Sequence, residues 1–196
     1  MKLKTLLNIM LACIIIPVMA SAICNPVVSK YFMGAADVEI IASAAMVSQT
    51  ITMFVAFVGC WSSGLKIFIK LYYPMWIAEI AMAIIIAMMG AENIEMRFYL
   101  NALQNTLCIG IVSQSLGYYS MKVIPRDMLQ TFSNKQKTVV GGAGIVGSFL
   151  AVMLGNIDIH IALWADVFFS IFSFGMNTFV LFHFKRMVEE KNDIEE

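Results

Sequence analysis

The chain has 196 residues, of which 60% are hydrophobic and only 13% charged, and its mean hydropathy is +0.82. That composition lies outside the range of soluble globular domains and marks a chain whose main solvent is lipid. Thirteen Lys plus Arg balance thirteen Asp plus Glu, so no basic field exists for nucleic acid, and the expected partner is the lipid bilayer.

Cys13, Cys24, Cys60 and Cys108 form no CxxC pair and fall in separate parts of the chain, which argues against a disulfide or a zinc site. The sixteen methionines are scattered through apolar runs without an exposed cluster, as lipid-facing and core filler. No metal and no cofactor is expected.

Six apolar stretches are long enough to cross a hydrocarbon core of about 30 Å. The first, near 5–23, follows Lys2 and Lys4 and ends in Ala20-Ser21-Ala22, an arrangement that imitates a cleavable secretory signal. Its length and the interruption by Pro17 suit a kinked transmembrane helix better, so the first span is expected to be retained, with Asn25-Pro26 as the turn after it. The second, near 39–59, carries Ala42, Ala45, Gln49, Thr52 and Ala56 on one side, and Ser62-Ser63-Gly64 follows it. The third, near 71–90, holds Glu79.

A connection from Gly90 to Arg97 leads into the fourth, near 98–120, with Asn101, Asn105, Cys108 and Ser115 on one face and Gln104 flanking them. Pro125 to Lys137 reads as the next connection. In the fifth span, near 138–155, Ala143, Gly147, Ala151 and Gly155 recur every four residues with Gly144 and Ser148 beside them, a row that lets a neighbouring backbone approach closely. After a turn from Gly155 to Asp158, the sixth, near 160–184, sets Asp166, Ser170, Ser173 and Asn177 in one polar stripe. Residues 185–196 form a charged tail. All 196 residues thus read as a single six-helix domain, an all-α membrane protein.

Charge placement gives the direction. Lys2, Lys4, Lys66, Lys70, Lys122, Arg126, Lys135, Lys137, Lys185, Arg186 and Lys191 lie on one side, against Lys30 and Arg97 on the other. The positive-inside rule places the basic side, and with it both termini, in the cytoplasm, and the expected location is a bacterial inner membrane.

Polar stripes in lipid either bond helix to helix or line a wet cavity. Glu79 and Asp166 are the only charges inside the six spans, and a carboxylate there costs about 2.5–3.5 kcal/mol. They are the leading candidates for a proton or substrate site, with Gln49, Asn101, Asn105 and Asn177 beside them. At about 12 Å from the inner edge and about 9 Å from the outer edge, the two carboxylates are not expected to touch.

With the spans in place, the stretch from Tyr31 to Gly155 resembles the N-terminal six-helix half of a major facilitator superfamily transporter, drug-efflux-like members above all. The matching features are Phe32-Met33-Gly34-Ala35 before the second helix, Gly59 opening a basic loop kept by Lys66 and Lys70, Ile124-Pro125-Arg126, and the glycine-rich fifth helix. The family's loop motif G-x-L-A-D-R-x-G-R-K keeps only its first glycine here. At the places of the family's G-P-x-x-G-G stand Ala143, Gly144, Ile145, Val146, Gly147 and Ser148.

The resemblance implies half of a major-facilitator-type bundle, which a second copy or another six-helix half would complete around a small molecule. A half-size transporter that moves a small amphipathic molecule as an oligomer is one expectation. The other is a non-transporting partner of another membrane protein, in immunity, assembly or regulation. No nucleophile–base pair and no histidine cluster occurs, so no catalytic residue and no enzyme is expected.

Overall fold

A computed structural model describes residues 3–34, 36–89, 93–154 and 158–195. Gly155 of the small-residue row lies outside them. The described residues form helices with no strand: α1 (Leu3–Met33), α2 (Val38–Gly59), α3 (Ser62–Met88), α4 (Ile94–Leu103), a π-helical turn (Gln104–Cys108), α5 (Ile109–Val123), α6 (Arg126–Leu154) and α7 (Ile159–Glu195). Five of the helices, α1, α2, α3, α6 and α7, are long and apolar enough to cross a membrane.

Each helix start has a local cause. The Asp37 carbonyl accepts from the Ile40 and Ile41 amides, and Glu39 sits in the first turn of α2, where the helix dipole favours an acid. The corner between α2 and α3 requires Gly64, because a Cβ there would lie 2.1 Å from the Val58 carbonyl oxygen. Asn93 turns the chain into α4 in the left-handed region, φ 54°, which asparagine tolerates better than most residues. The Pro125 carbonyl accepts from Met128 and Leu129 at the start of α6, and Asp158 Oδ1 accepts from the His160 amide at the start of α7.

Three expected connections and the expected tail are helical in the structure. Asn25-Pro26 does not end α1, which passes through Pro17 and Pro26 to Met33; packed neighbours let a membrane helix survive the amide that proline lacks. Ser62-Ser63-Gly64 forms the first turn of α3. Residues 126–137, polar but free of helix breakers, are the first turns of α6, and the stretch expected as a tail continues α7 to Glu195. Hydropathy marks where lipid begins and ends; helices stop only where capping and backbone geometry stop them.

The fourth apolar stretch is not one α-helix. α4, the π-turn and α5 follow without a gap, with 10, 5 and 15 residues. At the turn, Asn105 Nδ2 donates to the Asn101 carbonyl at 3.0 Å, and Thr106 Oγ1 donates to the Ala102 carbonyl. Such side chains compete with the backbone for the same acceptors and loosen the ladder.

α3 packs against α5 and α7, while α1 packs against α6 and α7. Two apolar clusters lie near opposite ends of α7: Leu163 and Val167 with Ala83, Ile86 and Ala87, and Val180 and Phe184 with Leu6, Leu7, Ile124 and Phe132. Tyr72, Trp76, Val112 and Leu181 close a third cluster. α2 is pinned to the α4–α5 rod by Val55 against Ile111 and by Ser43 Oγ, 2.7 Å from Tyr99 Oη.

Candidate functional site

A cavity of about 490 Å³ opens between α1, α3, the α4–α5 rod and α7, within the volume range of small-molecule sites. α3 contributes Trp76 and Glu79, α4 contributes Arg97, Phe98 and Asn101, and α7 contributes Asp166, Phe169, Ser170 and Ser173. Asn105 from the π-turn and Ser21 and Cys24 from α1 complete the polar part of the wall, with Pro17 beside them. The 3- and 4-residue spacing of the α7 stripe turns three of its members to this one space.

The two membrane carboxylates meet through an amide. Gln104 Nε2 donates to Glu79 Oε1 at 3.0 Å and to Asp166 Oδ2 at 3.4 Å. Ser170 Oγ donates to the same Glu79 Oε1 at 2.6 Å. The π-turn starts at Gln104, where the widened helix presents this buried amide to α3 and α7. Glu79 is 3% exposed, whereas Asp166 lines the same cavity and is exposed. Ser170, which bonds to Glu79, stands one turn beyond Asp166 on α7.

Arg97, expected in the connection before the fourth span, lies within α4 and on the wall of the same cavity as the two acids. It belongs to the first turns of α4, is 2% exposed, lines the cavity and donates from Nη2 to the Ile86 carbonyl at 3.1 Å. The apolar run begins one residue later, at Phe98, so hydropathy set Arg97 in the connection. The helix starts earlier because Asn93 turns the chain there.

Of the candidates, Glu79, Asp166, Asn101 and Asn105 line the cavity. Gln49 is exposed on α2, on the same outward side as Ala42, Ala45, Thr52 and Ala56. Asn177 is half-buried on α7 one turn beyond the cavity wall. Sequence reasoning left out Gln104, which joins the two acids, and Arg97, which stands on the cavity wall. Gln104 had a visible signal, since it sits three residues after Asn101 and four before Cys108, on the same helix face.

In the small-residue row, Ala143 and Gly147 are buried, Ala151 is half-buried and Gly144 faces open space. A Cβ at Gly147 would stand 2.7 Å from both Ala22 Cβ and the Met19 carbonyl oxygen. The row therefore seats α6 on α1, within the chain.

All four cysteines are free thiols. Among the described residues, no cluster of three His, Cys, Asp or Glu could hold a metal ion. His160 and His183 stand near the two ends of the membrane part of α7.

Apolar helices around a cavity with two carboxylates, two amides and a guanidinium are the build of an all-α membrane protein. Compared with known proteins, the chain matches no family model, no curated protein and no solved structure.

Proposed function

We propose that the chain is a half-size, transporter-like protein of a bacterial inner membrane, with six crossings and both termini cytoplasmic, that moves a small amphipathic molecule as an oligomer or with a second six-helix half. The observation that carries this is the pair Glu79 and Asp166, joined through Gln104 and both on the wall of a cavity with aromatic sides. Acids are costly at membrane depth and are kept where they handle ions, protons or substrate. Asp166, the exposed acid, takes up and releases the proton, and Glu79, buried beside Trp76, meets the ligand.

The sixth crossing is the α4–α5 rod, whose 30 consecutive helical residues reach roughly 45 Å at 1.5 Å per residue. Reporters fused within 127–134 and within 92–95 should read cytoplasmic and external respectively. An external signal at 127–134 would overturn the six-crossing topology.

Transport is tested with the purified chain in liposomes under an imposed pH gradient and a panel of small amphipathic dyes. Asp166→Asn should abolish the dependence of flux on the gradient while leaving expression intact, and Glu79→Gln should change which dyes move. Unaltered gradient-driven flux in Asp166→Asn sinks the proton assignment, and an unaltered dye range in Glu79→Gln sinks the ligand assignment.

A second reading, an interaction protein for another membrane protein, is favoured by one observation. Ala42, Ala45, Gln49, Thr52 and Ala56 face outward on α2, where a small and polar helix face suits another helix better than lipid. Absence of flux together with a stable complex with a second membrane protein would decide for it.

A further inference from the structure

Helices α1 and α6 run side by side in the same direction, as two contacts show: Phe132 clusters with Leu6 and Leu7, and Gly147 meets Met19 and Ala22. Along their seam lies a groove of about 410 Å³, separate from the cavity of Glu79 and Asp166, lined by Leu11 of α1 and by Thr131, Asn134, Lys135, Thr138 and Val139 of α6. Their 3- and 4-residue spacing puts Thr131, Asn134, Lys135 and Thr138 on one face of α6. Further along, the seam closes, because a Cβ at Gly147 would stand 2.7 Å from the Met19 carbonyl oxygen.

The two walls differ in chemistry. Leu11 offers only carbon, whereas α6 offers an ammonium, an amide and two hydroxyls beside Val139. Thr138 Oγ1 already donates to the Asn134 carbonyl at 2.9 Å, which leaves Lys135, Asn134 and Thr131 as the donors of the groove. Lys135 is the one charged side chain among the described residues that line it, so a cationic group would meet no acid there and an anion would meet an ammonium. Depth agrees with this. The apolar run of α6 begins near 138, so Lys135, three residues earlier, stands roughly 4.5 Å outside the hydrocarbon, within a headgroup layer roughly 5–7 Å thick. Lipid phosphates occupy that layer.

We infer that this groove holds an anionic phospholipid, its phosphate on Lys135, Asn134 and Thr131 and the start of its acyl chains against Leu11 and Val139. A lysine ammonium serves phosphate as a point charge, and the amide and the hydroxyl add directed donors. Basic recesses between membrane helices at headgroup depth hold acidic lipids in this way. A free phosphate would meet the same donors but leave Leu11 and Val139 uncovered, so the apolar part of the groove selects the lipid. Such a site needs only that α1 and α6 lie in a bilayer, whatever the cavity of Glu79 and Asp166 carries.

The test is native mass spectrometry of the full chain, released from detergent after incubation with dioctanoyl-phosphatidylglycerol, dioctanoyl-phosphatidylcholine or glycerol phosphate. Phosphatidylglycerol should be retained about fivefold more tightly than phosphatidylcholine, which converts to about 1 kcal/mol for one lysine at the membrane surface. Lys135→Gln should remove that preference and Lys135→Arg should keep it. Asn134→Leu, which takes away the amide donor alone, should lower the retention of phosphatidylglycerol by about threefold. Lys137→Gln, on the same helix but outside the groove, should lower it by less than about twofold. Lys135 and Asn134 are both exposed, so these variants should melt as the unaltered chain does. Equal retention of the two lipids overturns the site. An equal loss in Lys135→Gln and Lys137→Gln also overturns it, in favour of a diffuse basic belt. Glycerol phosphate retained as tightly as phosphatidylglycerol overturns the lipid in favour of a soluble anion, and retention of no lipid at all overturns the groove as a binding site.

Discussion

The small-residue row of α6 and the polar stripe of α7 repeat at the same helical spacing and have opposite consequences. Along α6 the buried members, Ala143 and Gly147, bring the α1 backbone so close that no Cβ fits at Gly147. Along α7, Asp166, Ser170 and Ser173 stand on the wall of a space of about 490 Å³. Small side chains without polar atoms gain only by contact, so their face closes. Hydroxyl and carboxyl groups need partners, and where one neighbour supplies only part of them the face stays open. In these two helices the periodic face turns inward, and its chemistry says whether it closes.

The widest gap between the two faces should appear at Gly147. Gly147→Leu drives a side chain into the Met19 carbonyl, which cannot yield, and should destabilise the chain by about 3 kcal/mol, within the range seen for overpacked cores. Ile145→Leu, at a residue 74% exposed, should stay within about 0.5 kcal/mol. Membrane accumulation and thermal melting in detergent measure both, and equal values would remove the closed face from the comparison.

A smaller effect sharpens the open face. Ser170→Ala takes one donor from Glu79 in a buried setting and should cost about 2 kcal/mol of stability, while Asn177→Ala on the same stripe, beyond the cavity, should stay within about 0.5 kcal/mol. The same melting assay reads both. A loss in Asn177→Ala as large as that in Ser170→Ala would show that the stripe acts as one packing surface with no special place for the carboxyl.

Much of this was legible from residue order. Hydropathy located the apolar runs because lipid demands them over a fixed length, and helical spacing grouped Asp166 with Ser170 and Ser173. The helix bounds were less legible: Pro26 lies within α1 and Arg97 within α4, since packing can override a helix-breaking residue and hydropathy does not report backbone geometry. The encounter of Glu79 with Gln104 could not be read at all. It depends on how α3 sits against the π-turn, and a 25-residue separation carries no periodic signal across two helices. Gln49 shows the converse, a polar residue on a well-patterned face that the fold turns outward.

The seat of α6 on α1 also sets an order of events during synthesis. Ala22 and Met19 are made early, and the glycine that fits against them, Gly147, is 125 residues downstream of Ala22. At about 5–20 residues per second, α1 waits roughly 6–25 s for its main partner. The α2–α3 hairpin, closed at Gly64 by neighbouring residues, has no such delay. The first helix made is thus among the last to be packed, and for those seconds its proline-interrupted face is held by lipid or by whatever machinery inserts the chain.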